Sequence, residues 1–135
     1  MTKAAHPFRL DPHSGVPVYR QIIDQVQAGI ASGTLVRGDQ LPTVRQVAVD
    51  LAINPNTVLR AYRELEIRGV LETQQGTGTF IADRTVEQDQ VERARKLDQL
   101  ANEIAGRAGA AGFRLQELIT ALQERLPEPE KRTKL

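Results

Sequence analysis

Between Val18 and Ser32 the apolar residues Tyr19, Ile22, Ile23, Val26 and Ile30 recur mostly at steps of three and four, the period of one helix face. The spacing predicts a first helix over roughly 18–32, with Gly33 as its C′ residue. Val44, Val47, Ala48 and Leu51 repeat the period and predict a second helix over about 43–52. Thr43 followed by Gln46 is the signature of a capping box at its start. A third helix begins at Asn54, a good N-cap, with Pro55 at N1, where a missing N–H costs nothing. Its core stripe is Val58, Ala61, Tyr62 and Leu65, and Gly69 ends it. The pattern then changes to strand-like runs, 70–73 and 77–81, joined by Gln74-Gln75-Gly76. Leu35, Gly38 and Leu41 mark a short extended connection with a turn, and Phe8-Arg9-Leu10 alternates as an edge strand could.

Beyond Asp83 the chain becomes charged and Ala-rich. Val91, Ala94, Leu97, Ala101, Ile104 and Ala108 sit mostly three and four apart, and Gly109-Ala110-Ala111-Gly112 is expected to break this helix. Leu115, Leu118, Ile119, Leu122 and Leu126 predict a last amphipathic helix, stopped by Pro127. The expected organisation is a flexible arm at 1–7, a winged helix-turn-helix at 8–82, a helical region at 83–127 and a disordered tail at 128–135. The fold class is mostly α with a small β wing, followed by two C-terminal helices. Two helices with such narrow apolar seams need a partner surface. Two copies could bury them as a four-helix arrangement, which makes Leu97, Ala101, Ile104, Leu115, Leu118, Ile119 and Leu122 the expected dimerisation residues. The other outlet is folding back on the same chain.

Composition narrows the chemistry. There is no cysteine among the 135 residues, so no disulfide framework, thiolate metal site or thiol nucleophile is available. The two histidines, His6 and His13, both fall in the N-terminal stretch and offer no triad, metal cluster or His base. No cofactor, metal site or catalytic residue is expected. Gly76-Thr77-Gly78 lacks the later glycine and helix of a nucleotide-binding loop. No apolar run reaches the ~20 residues that span a bilayer, and the N-terminus lacks the apolar core of a signal peptide. No membrane association and a cytoplasmic location are the expectation. Net charge is +1, so a general electrostatic field does not favour nucleic acid. Local placement does: residues 51–63 hold Arg60 and Arg63 and no acid.

A second short helix followed by a Gly-tipped hairpin is the layout that puts one helix into a major groove and a loop along the flanking backbone. With Val58, Ala61, Tyr62 and Leu65 inward, the opposite face of the third helix carries Asn56, Thr57, Arg60 and Arg63. Asn can pair bidentately with adenine, and Arg with guanine or phosphate. Asn54 reads first as a cap, with any DNA contact secondary, and Arg63 reads equally as a solvated charge. Thr43 and Arg45 open the second helix, where Arg45 could reach a phosphate or base edge or pair with Asp39. Gly76 and Gly78 supply hairpin conformations and let the tip approach a sugar-phosphate backbone, with Gln75 and Thr77 as donors. Double-stranded DNA is the expected partner.

The stretches Pro17-Val18-Tyr19-Arg20-Gln21-Ile22, Gly38-Asp39-Gln40-Leu41-Pro42-Thr43-Val44-Arg45, Asn54-Pro55-Asn56-Thr57-Val58, Arg60-Ala61-Tyr62-Arg63-Glu64-Leu65-Glu66, Gly69-Val70-Leu71 and Gly76-Thr77-Gly78-Thr79-Phe80 resemble the DNA-binding domain of GntR-type transcription regulators. The resemblance covers roughly residues 8–82. The short two-helix continuation resembles the YtrA-like branch, which implies a homodimeric repressor of a short palindromic operator, often beside transporter genes. Pro55 stands where that family commonly has an Arg, which shifts base readout to Asn56, Thr57 and Arg60; Thr43 stands where it usually has Ser. A pyridoxal-phosphate domain of the aminotransferase-linked branch cannot fit in the remaining residues, and the large effector-binding domains of other branches are absent. An effector of unknown identity would find only a small apolar cavity near Leu115, Ile119 and Leu122. The alternative function is an architectural or replication-associated winged-helix protein without an effector response.

Overall fold

Residues 7–83 build their core around α1 (Val18–Ser32), α2 (Val44–Leu51) and α3 (Pro55–Ile67). The structure is a computed structural model that describes residues 7–83 and 89–127. The arm expected at 1–7, apart from Pro7, and the tail expected at 128–135 lie outside the described residues, as do residues 84–88, where the charged segment begins. The chain divides into two units, Met1–Arg84 and Thr85–Leu135.

In the first unit, Ile22, Ile23 and Val26 of α1, Val47 and Ala48 of α2, and Val58, Ala61, Tyr62 and Leu65 of α3 are buried together. Each large aliphatic side chain removed from water contributes about 1.5–3 kcal/mol, so these three stripes hold the helices. Among the described residues Tyr62 is the one buried polar-tipped aromatic, and its hydroxyl donates to the Pro42 carbonyl at 2.7 Å. Burial pushes its phenol well above the ordinary range. Ile30, expected on the buried face of α1, lies at its rim and is exposed, because the helix is ending and the chain turns away at Gly33.

Helix ends follow local chemistry. Thr43 Oγ1 accepts from the Gln46 N–H at 3.1 Å, the forward half of the predicted capping box. Asn54 Oδ1 accepts from the Asn56 N–H at 2.8 Å, with Pro55 at the first helical position. At the end of α3, Gly69 N–H donates to Glu66 O and Val70 N–H to Leu65 O, both 2.9 Å, the paired bonds of a Schellman motif. The end of α2 makes the same pair of bonds, Ala52 to Val49 and Ile53 to Ala48. There the left-handed residue is Ala52, φ +54, and it is the one non-glycine residue at positive φ among those described.

Three strands close the unit: β1 (Gln40–Leu41), β2 (Leu71–Gln74) and β3 (Gly78–Ile81), antiparallel in the order β1-β3-β2. Gln40 pairs with Phe80 and Leu41 with Thr79; Leu71 pairs with Ile81 and Gln74 with Gly78. The two hairpin strands are where the alternation places them, within a residue, and β1 lies in the expected short extended connection, where it pairs with β3. The strand expected at Phe8-Arg9-Leu10 does not form. Phe8 is buried, but the Arg9 backbone is paired by the Gln25 side-chain amide on α1, which accepts from its N–H and donates to its carbonyl.

The second unit contains α4 (Gln90–Ala110) and α5 (Leu115–Gln123). Asp89 caps α4 by accepting from the Val91 N–H at 3.2 Å. The helix runs past Gly106 and Gly109 and ends at Ala110, inside the expected Gly109-Ala110-Ala111-Gly112 break, and Phe113 N–H returns to Ala108 O. The Glu117 carboxylate accepts from the Arg114 N–H at 2.7 Å and fixes the start of α5. Ala108 is the single buried hydrophobic residue among those described in this unit.

Candidate nucleic-acid interface

The face of α3 opposite its core stripe presents Asn56, Arg60, Arg63 and Ile67 in successive turns. Asn56, Arg60 and Arg63 line one shallow groove with Leu59, Glu64 and Ile67. Asn56 is exposed in the first turn, and among the described residues its side-chain amide has no protein partner, so its donors and acceptor are available. Arg63 is likewise exposed. Arg60 is held: its guanidinium carbon lies 3.8 Å from the ring centroid of Tyr19 on α1. Thr57 turns to the flank and is half-buried, with its N–H donating to the Asn54 carbonyl at 3.0 Å. Asn54 spends its side-chain oxygen on the cap, so its role here is to set where α3 starts.

Glu64, one turn beyond Arg60, would cancel its charge if the two paired. It is engaged instead by Arg68, with Nε 3.5 Å from the carboxylate. Arg68 Nη1 also donates to the side-chain Oε1 of Gln27 on α1 at 3.5 Å. The outer face thus keeps two arginines and an asparagine in a chain whose overall charge is +1. Ile67 on the same face is 80% exposed, although its type alone assigns it to the core.

Thr43 and Arg45 stand at the start of α2, and both are exposed. Asp39, the alternative partner for Arg45, instead accepts from the Val36 N–H at 2.9 Å. In the wing, Gln75, Gly76 and Thr77 form the exposed tip, closed by Thr77 N–H to Gln74 O at 3.0 Å. Gly78 is half-buried at φ +138, and the Gln40 side chain lies against it, its Nε2 donating to the Thr77 carbonyl at 3.1 Å. Gln40 and Tyr19 act on this face from β1 and α1, and neither was among the expected site residues. Their signal lies in pairings 37 and 41 residues away that no local pattern displays.

In the second unit the seven expected dimerisation residues split. Leu97, Ala101, Leu115, Ile119 and Leu122 are exposed, while Ile104 and Leu118 are half-buried. The latter two line a cavity of about 520 Å³ between α4 and α5 with Ala108, Phe113, Arg107 and Glu117. The apolar hollow expected near Leu115, Ile119 and Leu122 is therefore on the other side of α5, because Leu118 is the residue that turns toward α4. Among the described residues no helix is long and apolar enough to cross a membrane, and no group of His, Cys, Asp or Glu gathers as a metal site.

Residues 18–81 match the bacterial regulatory proteins of the gntR family. The chain is 45% identical over 76 residues to the HTH-type transcriptional repressor YtrA of Bacillus subtilis, covering 56% of this chain and 58% of that protein. It is 40% identical over 91 residues to the uncharacterised HTH-type transcriptional regulator YhcF of the same organism, covering 67% of this chain and 71% of the relative. The chain belongs to the GntR family. The fold agrees with a solved GntR-family transcription factor, YtrA from Sulfolobus acidocaldarius, at 32% identity and a TM-score of 0.54 over 70% of this chain and 97% of that one. In this GntR chain α2, α3 and the wing all fall within the matched residues, whereas α4 and α5 lie beyond them. The resemblance to the YtrA-like branch accords with these relatives, and the family is one of regulators rather than enzymes.

Proposed function

We propose that this protein is a cytoplasmic, homodimeric transcription repressor that binds a short palindromic DNA operator through α3 and the wing. The observation that carries the reading is the outer face of α3. A capped helix start holds Asn56, Arg60 and Arg63 outward, and the β2–β3 hairpin adds an exposed tip at Gln75-Gly76-Thr77. Asn56 and Arg60 read base edges. Thr43, Arg45, Arg63, Gln75, Gly76, Thr77 and Gly78 position the duplex through phosphate and sugar, and Asn54 and Thr57 support the helix start.

The two-fold symmetry comes from the second unit. Leu97 is 66% exposed, and Leu115 and Leu122 are more than half exposed. Apolar side chains left in water at this density mark a surface that another copy covers. The genes under control are those of a transporter, on the resemblance to the YtrA-like branch, and a small-molecule effector would act through the second unit. Selection of duplexes from a random pool, followed by footprinting, tests the reading. One or two short palindromic sites support a repressor; diffuse coverage identifies an architectural protein instead.

A further inference from the structure

Tyr19 lies outside the helix-turn-helix, near the start of α1, yet its ring carries the Arg60 guanidinium at 3.8 Å. Tyr19 is half-buried and packed against the hydrophobic core of the first unit, so its ring is a restrained platform. Arg is a flexible side chain, and most of its freedom must be lost before it can form a directed bond to a base edge. A cation above an aromatic face is held without consuming any N–H donor, which leaves the guanidinium edge open to an acceptor. An ion pair with Glu64 would hold Arg60 equally well but would spend both charge and donors, and Glu64 is drawn off by Arg68.

We propose that Tyr19 is a positioning residue for operator recognition, pre-organising Arg60 for base readout while Glu64 is paired with Arg68. The proposal rests on the reading of α3 as the DNA-reading helix and adds a specificity determinant from α1. An attraction of this kind at an exposed site corresponds to about two- to five-fold in affinity.

The test is a mutant cycle on the full chain, read by fluorescence anisotropy against two probes: the duplex that the wild-type protein enriches from a random pool, and a scrambled duplex of the same length. Tyr19→Leu should weaken the enriched duplex about two- to five-fold and the scrambled duplex less. Tyr19→Phe should retain wild-type affinity because the ring is kept. In an Arg60→Ala background, Tyr19→Leu should have no further effect; a loss of equal size in both backgrounds would show a merely structural role and overturn the proposal. Wild-type affinity in Tyr19→Leu overturns it too. Failure of the wild-type protein to enrich any sequence would sink the DNA reading itself, and with it this proposal, and is seen before any variant is made. Should Tyr19→Leu not fold, the Arg60 Nε–H resonance of the wild-type protein decides. An upfield ring-current shift that persists on adding the enriched duplex supports the stacked, reading-ready side chain; a random-coil position overturns it.

Discussion

Gln40 and Gly78 are coupled at the base of the wing: a Cβ on Gly78 would lie 2.5 Å from the same Gln40 nitrogen that donates to the Thr77 carbonyl. The wing tip is therefore braced from β1, a strand of only two residues. Gly78→Ala must displace the amide, lose its hydrogen bond and hold a side chain at φ +138. We expect a loss of about 1–3 kcal/mol, the range for backbone strain, in thermal unfolding, together with weaker operator binding. Gln40→Ala alone should cost about 1 kcal/mol or less and should not rescue Gly78→Ala, since the backbone strain remains. Rescue in the double variant would assign the requirement for glycine to the Gln40 contact alone.

Tyr62→Phe should cost about 0.5–1.5 kcal/mol by removing the bond to the Pro42 carbonyl. Burial raises the folded phenol above its ordinary value, so the unfolded chain, with a phenol near 10, releases this proton first. The stability attached to the neutral phenol is full below about pH 10 and is lost as pH rises toward the folded value. Chemical denaturation from pH 8 to 11 should show a decline in the wild-type protein that is shallower in Tyr62→Phe.

Asn54→Ala removes the acceptor for the Asn56 N–H and should lower stability by about 1 kcal/mol. Asn54→Asp keeps an acceptor at the same place and should restore most of it. Unchanged melting temperature in Asn54→Ala would contradict this account of the helix start.

Asn56→Ala should weaken binding to the selected operator by about 1–3 kcal/mol while changing affinity for random duplex little, since the residue is neutral. Arg63→Ala should weaken both to a similar degree and reduce the salt dependence by about one phosphate contact. Titrations at three salt concentrations distinguish these; an equal loss on both duplexes for Asn56→Ala would move it to the backbone-contacting set.

Deleting residues 84–135 should leave a folded winged helix that sediments as a monomer and binds the operator orders of magnitude more weakly, because the second half-site is no longer tethered. In the full chain, Ile119→Asp places a carboxylate on the 39% exposed Ile119 position of α5 and should shift the equilibrium toward monomer. A wild-type protein that is monomeric at micromolar concentration, or a truncation that still dimerises, would remove this role from α4 and α5.

What was legible in the sequence was what local chemistry decides. Asn54-Pro55 announces the start of α3, and the Val58, Ala61, Tyr62 and Leu65 stripe fixes which face turns outward. Gln40-Leu41 is too short to show a period, and its partner strand lies some forty residues on, so the sequence marks an extended connection there but not its pairing with β3. Phe8-Arg9-Leu10 had the alternation of a strand, but Gln25 supplied both hydrogen bonds that a neighbouring strand would have supplied. Ala52 carries no sign of its left-handed conformation, which glycine ordinarily fills. Gly109-Ala110-Ala111-Gly112 marks the end of α4 because glycine costs about 1 kcal/mol inside a helix, and α4 ends at Ala110 within that segment.

The two tyrosines have a practical consequence. The chain has no tryptophan, so Tyr19 and Tyr62 supply its intrinsic near-ultraviolet emission. One lies beneath the guanidinium on the outer face and the other is sealed in the core beside Pro42. A duplex settling on α3 changes the surroundings of the first and leaves the second alone, while unfolding changes both. The unlabelled protein thus carries two optical channels, one for occupancy and one for integrity, which Tyr19→Phe and Tyr62→Phe would switch off separately.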